Sequence, residues 1–235
     1  SNIGTTTTAW IVAFLGLKLN IAAFALLFIG LGMGLWLTGQ ENRRGALGEA
    51  LSGFGLFFLG IDIMQGAFEG LGAGLAVDRF AAAGILGVIL FAGIGFILTF
   101  LMQSSSGAIA LILTAVSGNV VTLDLAAAAV IGANVGTTTT GLMAVIGATS
   151  NAKRVAAAHM AFNLITGVVA IFLLPAMLGI IYWIQGAMKM ALDAATVLAL
   201  FHSLFNVLGI LIIWKMTPRL IAFLEGRFRT RAENR

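Results

Sequence analysis

The chain has 235 residues, of which 60% are apolar and 9% are charged, and its formal net charge is +4. About a quarter of the residues in a soluble domain are charged, so this composition excludes an ordinary water-soluble protein. The absence of cysteine excludes disulfides, thiolate metal sites and cysteine nucleophiles. Thirty glycines in so apolar a chain favour the close helix packing and unwound segments of a transporter or channel over a simple anchor.

Apolar runs predict a series of membrane-crossing helices. A helix of about 20 apolar residues is long enough to cross the hydrocarbon core of a bilayer. We predict a half-helix at 9–17 and helices near 19–37, 47–68, 124–147, 155–178 and 194–214. The predicted fold class is therefore all-α and integral to the membrane.

The chain begins with a Thr-rich motif that returns later. Residues 1–9 read SNIGTTTTA, and residues 133–141 read ANVGTTTTG, 132 positions further on. Chance repetition of Asn-x-Gly-Thr-Thr-Thr-Thr is improbable, so the two copies indicate an internal duplication.

The segment 84–118 has the pattern of a helical hairpin. An apolar arm over 84–102 leads to Gln103-Ser104-Ser105-Ser106, and a second apolar arm ends at Ser117. The second arm has about a dozen residues, which is too few to cross the bilayer alone. The segment therefore either crosses once or enters and leaves on the same face.

Basic residues favour the second topology, because basic loops lie mostly in the cytoplasm. They cluster at Arg43 and Arg44, at Lys153 and Arg154, and in the C-terminal tail. Only a re-entrant hairpin puts all three clusters on one face, and it also directs the half-helices that follow the two Thr-rich motifs in opposite directions. The sequence thus predicts inverted repeats in the plasma (inner) membrane with a cytoplasmic basic tail, which no nucleic-acid-binding motif accompanies.

The four polar residues at the hairpin tip are candidates for anion binding. Each unsatisfied side chain facing lipid would cost several kcal/mol, so Gln103 to Ser106 must face a polar cavity or one another. Gly107 permits an open backbone, and a helix that begins at the serines directs its positive end at an anion. This pattern is typical of an oxyanion cradle.

The second Thr-rich motif is a candidate cation site. Glycines flank Asn134, and four hydroxyls follow from Thr137 onward inside an apolar stretch. An unwound turn there would free carbonyl oxygens, which suit a small alkali cation together with hydroxyl and amide oxygens. A helix kink stabilised by the Thr hydroxyls is the alternative.

Other polar residues in the apolar segments have simpler explanations. His159 and His202 each begin a His-x-x-Phe-Asn sequence, for which interhelical hydrogen bonding is favoured over a role in transport. Asp62 is either a cation or proton ligand or a paired residue near the outer end. Asp124 and Asp193 lie at helix starts and are interpreted as caps.

These motifs carry a family resemblance. Gln-Ser-Ser-Ser followed about 26 residues later by Gly-Ala-Asn-Val-Gly-Thr-Thr resembles the second repeat of the sodium/phosphate cotransporter family, whose bacterial branch also has the His-x-x-Phe-Asn helices. The resemblance covers essentially the whole chain. It implies two inverted repeats, each with a re-entrant hairpin and a broken helix, and a substrate between them. The implied phosphate ligands are Gln103, Ser104, Ser105, Ser106, Asn134, Thr137 and Thr138, and further candidates for phosphate or sodium are Asn2, Thr5, Thr6, Gly136 and Asp62.

The resemblance also implies a division of the chain. The remainder of a first repeat covers 1–70, and the final span and basic tail cover 193–235. The second repeat covers 71–192, with the hairpin at 84–118, a broken helix at 124–147 and a span at 155–178. Because only one Gln-Ser-Ser-Ser is present, we expect the chain to lack the first part of repeat 1.

The implied function is sodium-dependent transport of inorganic phosphate by a secondary active carrier. Na+ is the coupling ion, expected near Ser106, Asn134 and Thr138, and no other cofactor is implied. The alternatives are an anion channel or a phosphate exporter of the same architecture and, less favoured, an intramembrane hydrolase using a tip serine with His159. A non-enzyme is expected, because no Gly-x-Ser-x-Gly elbow and no acid near His159 is present. Transport direction, Na+ stoichiometry, selectivity against sulfate or arsenate, and oligomeric state stay open.

Overall fold

Apolar helices account for most of the chain in the computed structural model, which describes residues 2–18, 21–71 and 83–229. Helix α1 (Asn2–Ile11) continues as a π-helical turn (Val12–Gly16), and a 3-10 turn (Ile21–Phe24) leads into α2 (Ala25–Leu37). The helices that follow are α3 (Arg43–Leu71), α4 (Ile85–Met102), α5 (Ser105–Ser117), α6 (Leu123–Ala144), α7 (Ser150–Ala187) and α8 (Ala194–Arg227). Ser1, the predicted start of the helix at 19–37 and the last basic residues of the tail lie outside the described residues.

Five of these helices, α3, α4, α6, α7 and α8, are long and apolar enough to cross a membrane. Helices α2 and α5 are apolar but shorter. The predicted bounds 155–178 and 194–214 are too short, because α7 has 38 residues and α8 has 34. Helices of these lengths extend about 57 and 51 Å, so both project well beyond a hydrocarbon core of about 30 Å.

The predicted break in the helix at 124–147 is wrong for this structure. Helix α6 runs continuously from Leu123 to Ala144 through the second Thr-rich motif. The hydroxyls of Thr137, Thr138 and Thr139 donate to main-chain carbonyls three or four residues earlier, at 2.7–3.2 Å. Such bonds satisfy the hydroxyls within the helix, as in the kink alternative, and leave no unwound turn.

The first copy of the motif is also helical. Helix α1 begins at Asn2, so the Thr residues lie within it rather than before a half-helix at 9–17. The helix changes to π-helical winding only from Val12. The predicted break at this copy is therefore also absent from the residues that the structure describes.

The basic clusters lie together at one end of the helix bundle, called here the basic end. The hydroxyl of Ser150, at the start of α7, donates to the carbonyl of Arg229, and Arg154 donates to the carbonyl of Glu225 in α8. Helix α3 starts at Arg43 and finishes at the opposite, far end, where Phe68 approaches Gly118. Arg43, Arg154 and Arg229 are therefore on the same side of the bundle, and that they share one membrane face stays a prediction.

The chain reverses direction between α4 and α5, so these two helices form a hairpin, whose re-entrant placement in the membrane stays a prediction. Both ends of the segment lie at the far end, because Gly84 shares a cavity with Asp124, at the start of α6. The tip lies towards the basic end, where Gln103 contacts Thr140 near the end of α6. By length α4, with 18 residues, could cross a membrane, whereas α5, with 13, could not.

Helices α4 and α6 lie parallel in direct backbone contact. A Cβ atom on Gly95 would overlap the carbonyl of Ala129, and one on Gly132 would overlap the carbonyl of Ala92. Glycine is therefore required at both positions for this approach, as in close helix pairs within membranes. Most of the α6 span is buried, whereas most of α4 is exposed, so α4 covers the more deeply buried α6.

The two Thr-rich motifs lie on helices that run in opposite directions. Helix α1 is antiparallel to α8, because Trp10 pairs with Ser203 while Thr6 pairs with Asn206. Helix α7 is antiparallel to both α6 and α8, so α6 and α8 are parallel. The second motif, in α6, is consequently antiparallel to the first.

Candidate substrate and ion site

The hairpin tip is organised by local hydrogen bonds. Gln103 has left-handed backbone geometry (φ 51°), and its Nε2 donates to the carbonyl of Phe100 at 2.6 Å. Its Oε1 accepts a hydrogen bond from the hydroxyl of Thr140 at 3.1 Å. The Ser104 hydroxyl caps α5 by accepting from the Gly107 N–H at 3.1 Å. Both Gln103 and Ser104 are exposed, so the tip is less enclosed than expected.

The next two serines occupy the first turn of α5. Ser105 and Ser106 are half-buried, and the Ser106 hydroxyl lies 3.3 Å from the hydroxyl of Thr8 in the first Thr-rich motif. The first turn of a helix carries partial positive charge and N–H groups that are not used within the helix. The structure therefore places hydroxyl and N–H donors at the point where α5 meets α1.

The second motif presents a buried amide. Asn134 is 1% exposed, and its Nδ2 donates to Oδ1 of Asn206 in α8 at 3.2 Å. Thr138, one helical turn later, is also buried, whereas Thr137 is half-buried. Gly136 lies against the α4 backbone at Phe96 and has a packing role in addition to any at the site.

The first motif has an equivalent arrangement. Asn2 Nδ2 donates to Oδ1 of Asn163 in α7 at 2.8 Å. The Thr6 hydroxyl donates to the Asn2 carbonyl and accepts from Asn206 Nδ2 at 2.8 Å. Thr5 is half-buried in the same helix. Thus Asn206 contacts both copies of the motif, Thr6 in the first and Asn134 in the second.

The sequence predictions missed Asn163 and Asn206 as neighbours of the motif. Each is the last residue of a His-x-x-Phe-Asn sequence, and each is hydrogen-bonded to the asparagine of one Thr-rich copy. The two kinds of sequence repeat are therefore in contact in the structure. The expected interhelical hydrogen bonding is confirmed for the asparagines. It is not found for His202, whose two buried ring nitrogens have no hydrogen-bond partner among the described residues.

The predicted sodium ligands fall into two groups. Asn134 and Thr138 lie on one face of α6, whereas Ser106 contacts Thr8 of the other copy. The hydroxyl of Thr138 donates to the carbonyl of Val135. Asp62 is exposed on α3, where its neighbour Ile61 packs against Gly16. Among the described residues, it makes none of the hydrogen bonds that join the motifs. Its assignment stays a prediction.

The far end carries an ion pair beside a polar cavity of about 450 Å³. Lys18 Nζ lies 2.7 Å from the carboxylate of Asp193, and the lining also includes Gln65, Ser117 and Asn119. Asp193 caps α8 through the Thr196 N–H, which confirms its predicted role, whereas Asp124 lies in the first turn of α6 behind Thr122. Desolvation opposes ionisation of Asp193, but the bonds from Lys18 and Thr196 outweigh it and lower the pKa of this carboxyl.

The family comparison agrees with the motifs. The Na+/Pi-cotransporter family matches residues 1–66, which include the first Thr-rich copy and most of α3. The N-terminal part of the chain is therefore similar to this family. The resemblance predicted from the motifs is thereby confirmed, and with five long apolar helices it indicates a multi-pass membrane protein.

Curated relatives extend the likeness along the whole chain. The "Uncharacterized protein YqeW" of Bacillus subtilis is 29% identical over 92% of this chain and 67% of its own length. The "Putative inorganic phosphate export protein YjbB" of Escherichia coli (strain K12) is 24% identical over 99% of this chain but 41% of its own length. The protein of the same name from Salmonella typhimurium is 28% identical over 72% of this chain and 30% of its own. The chain thus spans less than half of the YjbB proteins, and no solved structure matches it significantly.

Proposed function

We propose that this chain is part of a secondary active carrier that moves inorganic phosphate across the plasma membrane together with Na+. The observation that carries the proposal is the meeting of three motif segments: Ser106 with Thr8, and Asn134 with Thr6 through Asn206. The family match and the printed name of the YjbB relatives support phosphate as the substrate.

The chemistry of the two groups suits the two ions. The serine hydroxyls and the first-turn N–H groups of α5 are donors, which a phosphate oxyanion requires. The amide and hydroxyl oxygens of Asn134 and Thr138 are neutral hard ligands, which an alkali cation prefers. Na+ bound next to phosphate would partly neutralise the negative charge of the phosphate. The free-energy cost of moving phosphate through a medium of low dielectric constant would then be lower.

The architecture supports alternating access. We propose that α1 and α6 belong to inverted repeats, which the opposite directions of these two helices support. We also propose that α4 and α5 form a re-entrant hairpin, which the reversal of the chain between them supports. Towards the far end, Val12, Ala13 and Leu113 belong to one fully buried apolar cluster, whereas the hairpin tip is exposed towards the basic end. On this basis we propose that phosphate reaches the tip from the basic side.

The basic end is proposed to face the cytoplasm, by the excess of Lys and Arg there. Because the chain has no cysteine, Arg44→Cys and Arg154→Cys can be labelled singly in cells with a membrane-impermeant maleimide. Both are expected to be protected until the membrane is permeabilised. Asn119→Cys at the far end is the matched control and should label from outside. Opposite accessibility of the two Arg positions would contradict the re-entrant topology.

Transport itself is tested with the full-length protein in proteoliposomes. An inward Na+ gradient is expected to drive accumulation of labelled phosphate, and replacing Na+ by choline should abolish it. Preloaded unlabelled phosphate should accelerate labelled uptake, because a carrier exchanges substrate whereas a channel does not. Phosphate flux without exchange would favour the channel, and flux without Na+ dependence would favour the export mechanism that the YjbB name suggests.

An enzymatic role receives little support from the geometry. Within the described ranges, no histidine lies within ion-pair distance of a carboxylate, so His159 has no acid to orient it for activating a serine. The family of the matched region is a transporter family. We therefore propose that the chain does not catalyse a chemical reaction.

A further inference from the structure

We propose that Asn206 is a positioning residue, which turns Asn134 of the second Thr-rich motif so that it presents its amide oxygen rather than its amide nitrogen, and that Asn163 holds the Nδ2 group of Asn2 in the same way. The inference rests on the proposed function and deepens it, because it decides which ion Asn134 serves. It follows from the direction of the hydrogen bonds around Asn206.

The direction is fixed by the main-chain carbonyl of His202. A carbonyl oxygen only accepts, so the group of Asn206 that lies 3.0 Å from it must be the Nδ2 amide. The Nδ2 group also donates to the hydroxyl of Thr6. The Oδ1 atom of Asn206 is therefore the atom directed at Asn134, and Asn134 must donate to it through Nδ2. This leaves Oδ1 of Asn134 as the available acceptor.

The same order of bonds occurs at the other copy. Asn163 Nδ2 donates to the carbonyl of His159 at 3.0 Å, and its Oδ1 accepts from Asn2 Nδ2. In both cases the anchor is a carbonyl one helical turn before the asparagine. Any residue four positions before the asparagine would provide this carbonyl, so the anchor gives a role to the repeated asparagine and not to the histidine.

Burial makes these orientations persistent. Asn134, Asn163 and Asn206 are each at most 2% exposed. An amide that rotates in such a place would set two like groups against each other and leave both without a hydrogen-bond partner. The carbonyl of His202 thus selects the orientation of Asn134 through one intermediate side chain, Asn206, whereas Asn2, at the other copy, is only half-buried.

The consequence concerns ion selectivity. An amide oxygen binds a hard cation, whereas phosphate at neutral pH needs donors. Asn206 uses one of the two amide N–H groups of Asn134, and no group among the described residues donates to its Oδ1, so Asn134 is assigned to the cation rather than to phosphate. Asn206 also donates a hydrogen bond to Thr6. A movement of Asn206 would therefore affect both the orientation of Asn134 in the second motif and the position of Thr6 in the first.

A double-mutant cycle tests the positioning role in the full-length protein. Asn206→Leu removes the acceptor for Asn134 and is expected to raise the half-saturating Na+ concentration for phosphate uptake about tenfold, the equivalent of one hydrogen bond of about 1.4 kcal/mol. Asn134→Ala should raise it similarly. The double variant should lose less than the sum of the two single losses, because Asn206 then has no amide left to orient and only its bond to Thr6 remains to be lost. Ser203→Ala, on the same helix but bonded to Trp10, is the control and should leave Na+ dependence unchanged.

The stabilisation of purified protein by NaCl over choline chloride gives a second readout. Additive effects of the two substitutions on Na+ affinity would mean a purely structural role and would overturn the inference. If Asn206→Leu does not fold, Asn163→Leu with Asn2→Ala forms the equivalent cycle and is judged by the same outcomes. Wild-type protein that neither takes up phosphate with Na+ nor is stabilised by NaCl would overturn the proposed function as well, whereas a Na+-responsive wild type with an additive cycle overturns only the positioning role.

Discussion

Replacing Ser105 by Ala in the full-length protein is expected to weaken apparent phosphate affinity by about 10- to 100-fold. A hydrogen bond from a hydroxyl to a charged ligand contributes about 1.5–3 kcal/mol, and each 1.4 kcal/mol is a factor of ten. Ser105 is half-buried in the first turn of α5 and takes no part in the cap, which Ser104 provides. Its loss should therefore affect binding without affecting folding. Na+-driven phosphate uptake in proteoliposomes and the melting temperature of the purified variant measure the two effects separately.

Two further variants make this experiment specific. Ser104→Ala removes the helix cap and is expected to cost about 1 kcal/mol of stability in addition to any loss of affinity. Ser117→Ala, at the other end of α5, is the matched control outside the motif and should retain phosphate affinity. If Ser104, Ser105 and Ser106 variants all fold and all keep the wild-type phosphate affinity, the hairpin tip is not the binding site.

Replacing Gly132 by Ala is expected to separate α4 from α6 and to destabilise the protein by about 3 kcal/mol, the upper part of the usual range for overpacking. A methyl group at this position would overlap the backbone carbonyl of Ala92, which has no rotamer by which to move aside. The two helices must therefore shift apart along their contact. The hairpin tip would move with α4, so phosphate uptake should fall together with stability.

Gly93→Ala is the matched control for this prediction, because the space around Gly93 in α4 is open to 4 Å. It should leave the melting temperature and uptake unchanged, or raise stability slightly through the better helix propensity of alanine. A Gly132→Ala protein that melts with the wild type would contradict the close α4–α6 contact. The same comparison in detergent and in lipid would separate a local packing fault from failed insertion.

Local signals were enough to predict the helices and the point where the hairpin reverses. Apolar runs of sufficient length decide between lipid and water, and the residues Gln103 and Ser104 that end α4 and cap α5 act through their own turn. Helices α7 and α8 were predicted too short, because their predicted bounds stop short of the charged residues Lys153 and Lys215, and both helices continue past these residues. A hydropathy pattern marks the limit of the apolar region, not of the hydrogen-bonded helix.

The predicted breaks at the Thr-rich motifs failed for a different reason. Glycine, asparagine and threonine weaken a helix when their polar groups compete with the backbone. In α6 the Thr137 hydroxyl bonds back to a carbonyl of the same helix, and the Asn134 amide finds its partner in α8, so neither group disrupts the helix. Whether such a side chain disrupts its helix depends on a hydrogen-bond partner on another helix, and helix propensity takes no account of that partner.

The sequence by itself predicted a membrane protein, the positions of most of its long apolar helices and the family likeness, and it shows the two copies of the Thr-rich motif, because each is a property of composition or of residues close in the chain. Only the tertiary structure decided that Asn134 pairs with Asn206 and Asn2 with Asn163. It also decided that Gly95 and Gly132 bring two backbones into contact. These pairings join residues on different helices, and a bond of about 3 Å between them depends on where the helices cross, which is set by the packing of the whole bundle.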